Sequence, residues 1–112
     1  MTEALIATEK LTAALRRFAD ERDWNRYHKP RGLMLALVGE VGELAEIFQW
    51  LSDEDAVALR DDPARFTHLQ EEIADVLLYL TMLAMATGVD LDAAVRDKMA
   101  KNAVKYPVPT AG

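Results

Sequence analysis

The chain has 112 residues, 51% of them hydrophobic, which suffices for one domain with a core, although a chain this short buries more surface by associating than alone. Its net charge of −6 excludes a phosphate-backbone binder, which would carry a basic stripe, so no nucleic-acid partner is expected. There is no cysteine for a disulfide framework, no basic-then-apolar leader, and the apolar run 76–86 falls short of the ~20 residues of a membrane span, so a cytoplasmic protein without signal peptide or membrane contact is expected.

In chain order, Ala7, Leu11, Ala14, Leu15 and Phe18 recur at steps of three and four and predict an amphipathic first helix over 2–22. A connector holding Trp24, Tyr27 and His28 runs to Pro30, which biases Lys29 away from helical geometry, so a second helix is predicted over 31–51. Ser52, with Asp55 three residues on, reads as a variant capping box for a short third helix ending near residue 60. Asp62 caps a long fourth helix over 63–87, with Pro63 in its first turn and Gly88 as its stop. Asp90 caps a fifth over 91–105, which halts before Pro107. Residues 1–108 are thus one all-α domain, a bundle of four main helices and one short one, and 109–112 a loose tail.

Against this apolar background stand four acids: Glu40 and Glu43 on the second helix, Glu72 and Asp75 on the fourth. An ionised carboxylate buried without a partner costs several kcal/mol, so helices meant only for a core would carry Leu or Ala there. Each pair is spaced i, i+3, which at ~100° per residue leaves the two side chains about 60° apart, able to reach one cation. Two such helices face to face make an all-oxygen cage, suited to Mg²⁺ or Mn²⁺ rather than Zn²⁺. Leu37 and Leu44 flank Glu40, so the expected order of depth is Glu40, Glu43, Glu46; Leu78 and Tyr79 follow Asp75, which is expected to be enclosed, with Glu71 on its other flank in support. A lone Glu-x-x-Glu is usually a solvated helix face; two pairs in apolar surroundings are not explained that way. Gly39 and Gly42 weaken a helix interior and are expected to permit close approach of a partner helix or ligand. Without the acids, Trp24, Trp50 and Tyr79 would be ordinary core or interface aromatics, and His28 and His68 surface or supporting residues.

The sequence Glu40-Val41-Gly42-Glu43, followed after an interval by Glu72-Ile73-Ala74-Asp75, resembles the Glu-x-x-Glu and Glu-x-x-Asp motif of the MazG-like all-α nucleoside triphosphate pyrophosphohydrolases. Residues 18–24 (FADERDW), 31–50 (RGLMLALVGEVGELAEIFQW), 70–80 (QEEIADVLLYL) and 98–107 (KMAKNAVKYP) are similar to the dCTP pyrophosphatase branch, so the resemblance spans most of the chain. It implies hydrolysis of a nucleoside triphosphate, dCTP or a modified dCTP, to the monophosphate and pyrophosphate, with Mg²⁺ or Mn²⁺ held by Glu40, Glu43, Glu72 and Asp75. One acid among Glu43, Glu46 and Glu72 would take the proton from water. The resemblance also implies that Trp24, Trp50 and Tyr79 enclose the base and that Lys98, Asn102 and Tyr106 meet the phosphates, and His28 is a further candidate for substrate binding; Lys98, Asn102 and Lys105 share a face of the fifth helix. Animal members of the branch carry a histidine where this chain has Leu15, which bears on base preference. Relatives enclose the nucleotide with more than one chain, so a homodimer or homotetramer is expected. Two other readings are a helical interaction module with a structural or regulatory metal, and a ferritin-like di-iron protein, which would want Glu-x-x-His pairs that this chain lacks.

Overall fold

The computed structural model describes residues 3–110, and these contain helices and connectors without a strand. Helix α1 spans Glu9–Glu21, α2 Pro30–Phe48, α3 Asp53–Val57, α4 Pro63–Thr87 and α5 Leu91–Lys105; single 3₁₀ turns occupy Asn25–Tyr27 and Ala58–Asp61. The fourth and fifth helices have the expected bounds. Their caps explain why: Asp62 accepts from the Arg65 amide at 3.2 Å, Asp90 accepts from the Ala93 amide at 3.0 Å, and Gly88 stops α4 with φ of +74°. Ser52 likewise accepts from the Asp55 amide at 3.1 Å and starts α3.

The first helix starts later than its periodicity predicts. Thr2 lies outside the described residues, and 3–8 are not helical. The amides of Leu5 and Ile6 instead donate to Oδ1 of Asp92 at 2.6 and 3.0 Å, tying this segment to the first turn of α5. The Ile6 amide, with the Leu5 amide and Arg96 acting in the same sense, holds Asp92 below the usual carboxylate range against the effect of burial. At its other end α1 closes on Asp23, in the left-handed region at φ 53°, where a short polar side chain is tolerated. The chain reverses there: the Trp24 amide donates to the Ala19 carbonyl at 2.9 Å, and the indole meets Phe18 edge to face with centroids 5.6 Å apart.

Helix α2 packs on α4, and α1 packs more lightly on α4 beside it. On α2 the inner face runs through Leu33, Leu37, Glu40, Leu44 and Ile47, the i, i+4, i+7 succession of an amphipathic helix. Its outer face is also apolar: Met34, Leu35, Val38 and Val41 are 45%, 61%, 55% and 47% exposed. Gly39 and Gly42 belong to this outer side, and a Cβ at either would meet nothing within 4 Å, so neither brings another part of this chain close. Helix α5 leaves α4 at a bend of 100° and has no buried residue. The radius of gyration is 17.6 Å, against about 13 Å expected for a compact chain of this length. No single helix among the described residues is long and apolar enough to cross a membrane.

Candidate active site

Where α2 crosses α4, the acids meet. Oxygens of Glu40, Glu43 and Glu72 all lie within 4.8 Å of one another. Asp75, one turn further along α4, is half-buried and adds its negative charge to the field on Glu40. On α2 Glu40 is half-buried while Glu43 and Glu46 are exposed, and Asp75 on α4 is half-buried; the deepest acid is Glu72, at 8% exposed, which the sequence did not single out. Apolar neighbours along its own helix predict the depth of Glu40, whereas Glu72 is covered by α2 crossing above it.

This grouping is electrostatically expensive as it stands. Burial pushes the Glu40 carboxyl up to about 7, and the charges of Glu43, Asp75 and Glu72 act in the same direction. Glu72 is raised as well, first by burial and then by Glu43, while Glu40 and His68 pull it back. One oxygen of each, Oε2 of Glu40 and Oε2 of Glu72, is buried without any hydrogen-bond partner. Buried polar atoms are normally satisfied, so two orphaned carboxylate oxygens aimed into one acidic cluster fit a divalent cation. Ligand oxygens around Mg²⁺ sit ~2.1 Å from the ion and so up to about 4.2 Å apart, a spacing that these three side chains reach with small rotations.

Two cavities flank the cluster. One, of about 400 Å³, is lined by Leu15, Phe18, Trp24, His28, Asp75 and Tyr79 among others, and is mostly apolar. The second, of about 750 Å³, is lined by Glu43, Glu46, Trp50, Arg65, His68 and Glu72, closed below by Leu59. Of the seven residues expected to hold substrate, the structure thus brings Trp24, His28 and Tyr79 together beside Asp75, and sets Trp50 on the opposite side of the acids with 87% of its surface exposed. Lys98, Asn102 and Tyr106 line neither cavity, because the bend before α5 carries them away. Arg65 did not emerge from the motif reading, and His68 emerged only as a surface or supporting residue. Their signal was present in the spacing, since they precede Glu72 by seven and four positions and so share its helical face.

An all-α scaffold that crosses two helices at a carboxylate cluster between two cavities is built as a candidate cation site rather than a passive bundle. Comparison with known proteins gives the family. The chain matches the MazG-like family over residues 36–112. It is 55% identical over 91 residues to dCTP pyrophosphatase 1 of Rattus norvegicus and 53% identical over 90 residues to that of Homo sapiens, covering 81% and 80% of this chain. The alignments cover 54% and 53% of those relatives, so the chain spans about half their length. A crystal structure of a pyrophosphatase from Archaeoglobus fulgidus superposes with a TM-score of 0.80 at 40% identity, covering 96% of this chain and 99% of that one. The chain belongs to the MazG-like family.

Proposed function

We propose that this protein is a nucleoside triphosphate pyrophosphohydrolase that uses Mg²⁺ to convert dCTP, or a dCTP modified on the base, to the monophosphate and pyrophosphate. The observation that carries the reading is the cluster of Glu40, Glu43 and Glu72, with its two orphaned buried oxygens, set between an aromatic cavity and a larger one that holds Arg65 and His68. The names of the mammalian relatives supply the substrate.

Glu40, Glu43, Glu72 and Asp75 would hold the cation. When bound, it supplies Lewis-acid polarisation of the phosphoryl oxygens and neutralises a triphosphate that four carboxylates would otherwise repel. The residues of the chain do the rest. Trp24 and Tyr79 stack on the base, the Leu15 side chain gives that cavity an apolar end, and His28 offers it a ring nitrogen. A water oxygen forms a bond to phosphorus at the α–β bridge, the bridging P–O bond breaks, and its electron pair leaves on the departing group. The water proton passes to a carboxylate; Glu43, Glu46 and Glu72 all face the larger cavity and are the candidates. Rate comes mainly from positioning and charge.

The assembly is part of this reading. Accessible surface amounts to 8880 Å², against about 6,200 Å² for a compact monomer of this mass. The difference, about 2,700 Å², is roughly three times the ~800 Å² that one partner contributes to a standard protein interface. A second copy seated on the outer face of α2 and on α5 would cover Met34, Leu35 and Val38, where the two glycines leave room for another helix, and would bring its own Trp50, Lys98, Asn102 and Tyr106 towards the nucleotide. A soluble nucleotide substrate suits a cytoplasmic location.

The deciding experiment is product identification from common and 5-modified triphosphates with Mg²⁺ present or chelated. Monophosphate and pyrophosphate in equal amounts, lost on chelation, are expected. Metal binding without turnover of any triphosphate would replace this reading with that of an interaction module.

A further inference from the structure

The face of α4 that presents Glu72 and Asp75 continues in both directions. Arg65, His68, Glu72, Asp75 and Tyr79 follow one another at steps of three or four and lie in one line along the helix. At ~1.5 Å per residue, Arg65 stands about 10 Å before Glu72 and Tyr79 about 10 Å after it. The chemistry changes in order along this line, from nitrogen donors through acids to an aromatic ring. The cavities repeat that order: Arg65 and His68 share theirs with Glu43 and Glu72, while Tyr79 and Trp24 share theirs with Asp75.

We propose that the nucleotide lies along α4 in one direction, base towards Tyr79, and that Arg65 and His68 form the subsite for its pyrophosphate half on the far side of the acids. The proposal rests on the pyrophosphohydrolase reading. Glu43, Glu46 and Glu72 repel phosphate, so the β and γ groups need positive charge or N–H donors from elsewhere in the same cavity, which Arg65 and His68 supply further along α4. Arg65 is equipped for it. Its guanidinium makes one long contact of 3.9 Å with Asp62, on the exposed surface, and its planar fork of five N–H donors matches phosphate oxygens. His68, one turn on, lines the same cavity and can offer a ring N–H there. The opposite direction would lay the base on Trp50, which also lines this cavity; but that ring is 87% exposed and offers no enclosed slot, whereas Trp24 is braced by Phe18 in a mostly apolar cavity.

Calorimetric titration of the whole protein in Mg²⁺ with imidodiphosphate, a pyrophosphate analogue that is not hydrolysed, and separately with dCMP, tests the assignment without relying on turnover. Arg65→Ala should weaken imidodiphosphate binding by about tenfold or more, the equivalent of one charge-assisted hydrogen bond, and leave dCMP binding within about twofold. Arg65→Lys should recover part of the loss, and His68→Ala should act in the same sense and less strongly. Imidodiphosphate binding equal to wild type in both alanine variants, or a loss confined to dCMP, would overturn the subsite and its direction. Pyrophosphate release by the wild type is scored separately, so failure of the subsite and failure of the activity are told apart.

Discussion

Glu72 combines deep burial, an orphaned oxygen and repulsion from Glu43. Replacing it with Gln removes a buried charge and keeps the shape, so the metal-free protein should be no less stable than wild type while turnover falls by at least about a hundredfold, as expected on losing a ligand that orients a cation. Thermal unfolding in chelator and product assays in Mg²⁺ measure the two effects. Glu40 makes the pH behaviour predictable. Its folded value of about 7 lies above its ordinary 4.5, so between those limits the folded state keeps a proton that the unfolded state releases. Metal-free stability should be fully present below about 4.5 and decline as pH rises through about 7. A cation must displace the same proton, so Mg²⁺ affinity should climb from pH ~5 to ~8, and the rise in melting temperature on adding Mg²⁺ should grow with it. At this scale the acids were legible as intruders in apolar helices. Which of them is deepest was not, because Glu72 owes its burial to a helix three elements' distance along the chain rather than to neighbours at i±3 and i±4.

At the scale of elements, α4 and α5 were legible to the residue because their ends are set locally, by Asp62 with Pro63, by Gly88 and by Asp90. The start of α1 was not. A carboxylate on α5 competes for the backbone of residues 5 and 6, and nothing in the first twenty residues announces it. The expected second helix overran in the same way: α2 stops at Phe48 and leaves Trp50 exposed on a turn, where the apolar pattern alone would carry it to Leu51. Gly88→Ala isolates the cost of the α4 stop. The new methyl meets nothing within 4 Å, so the penalty is that of a left-handed backbone alone, about 1–2 kcal/mol. Denaturant unfolding should show an earlier midpoint with an unchanged slope.

For the molecule as a whole, the extended form and the apolar outer face of α2 are what composition could not locate, since 51% hydrophobic content says how much surface is available and not where it goes. If a second copy completes the site, Lys98 and Glu40 act in different chains around one nucleotide. Lys98→Ala should lower kcat/KM by about tenfold to a thousandfold, roughly 1.4–4 kcal/mol of transition-state stabilisation, while Lys10→Ala on the exposed side of α1 leaves it near wild type. Co-expression of Lys98→Ala with Glu40→Gln should then regenerate sites that carry both native residues and raise activity above that of either variant alone; light scattering gives the mass of the assembly in the same samples. Additive activities without recovery would place both residues in one chain.

The tie between Asp92 and the amides of Leu5 and Ile6 joins positions 87 and 86 residues apart. During synthesis the segment before α1 therefore has nothing to dock on until residue 92 has been added, and α1 itself must wait for α4. At ~5–20 residues per second that delay is about 4–17 s, long compared with the microseconds in which a helix forms. The α2–α4 pair is complete at Thr87, five residues before Asp92, so at the same rate it has about 0.25–1 s, still long against helix formation, to bring the carboxylates together before residues 5 and 6 are tied to α5.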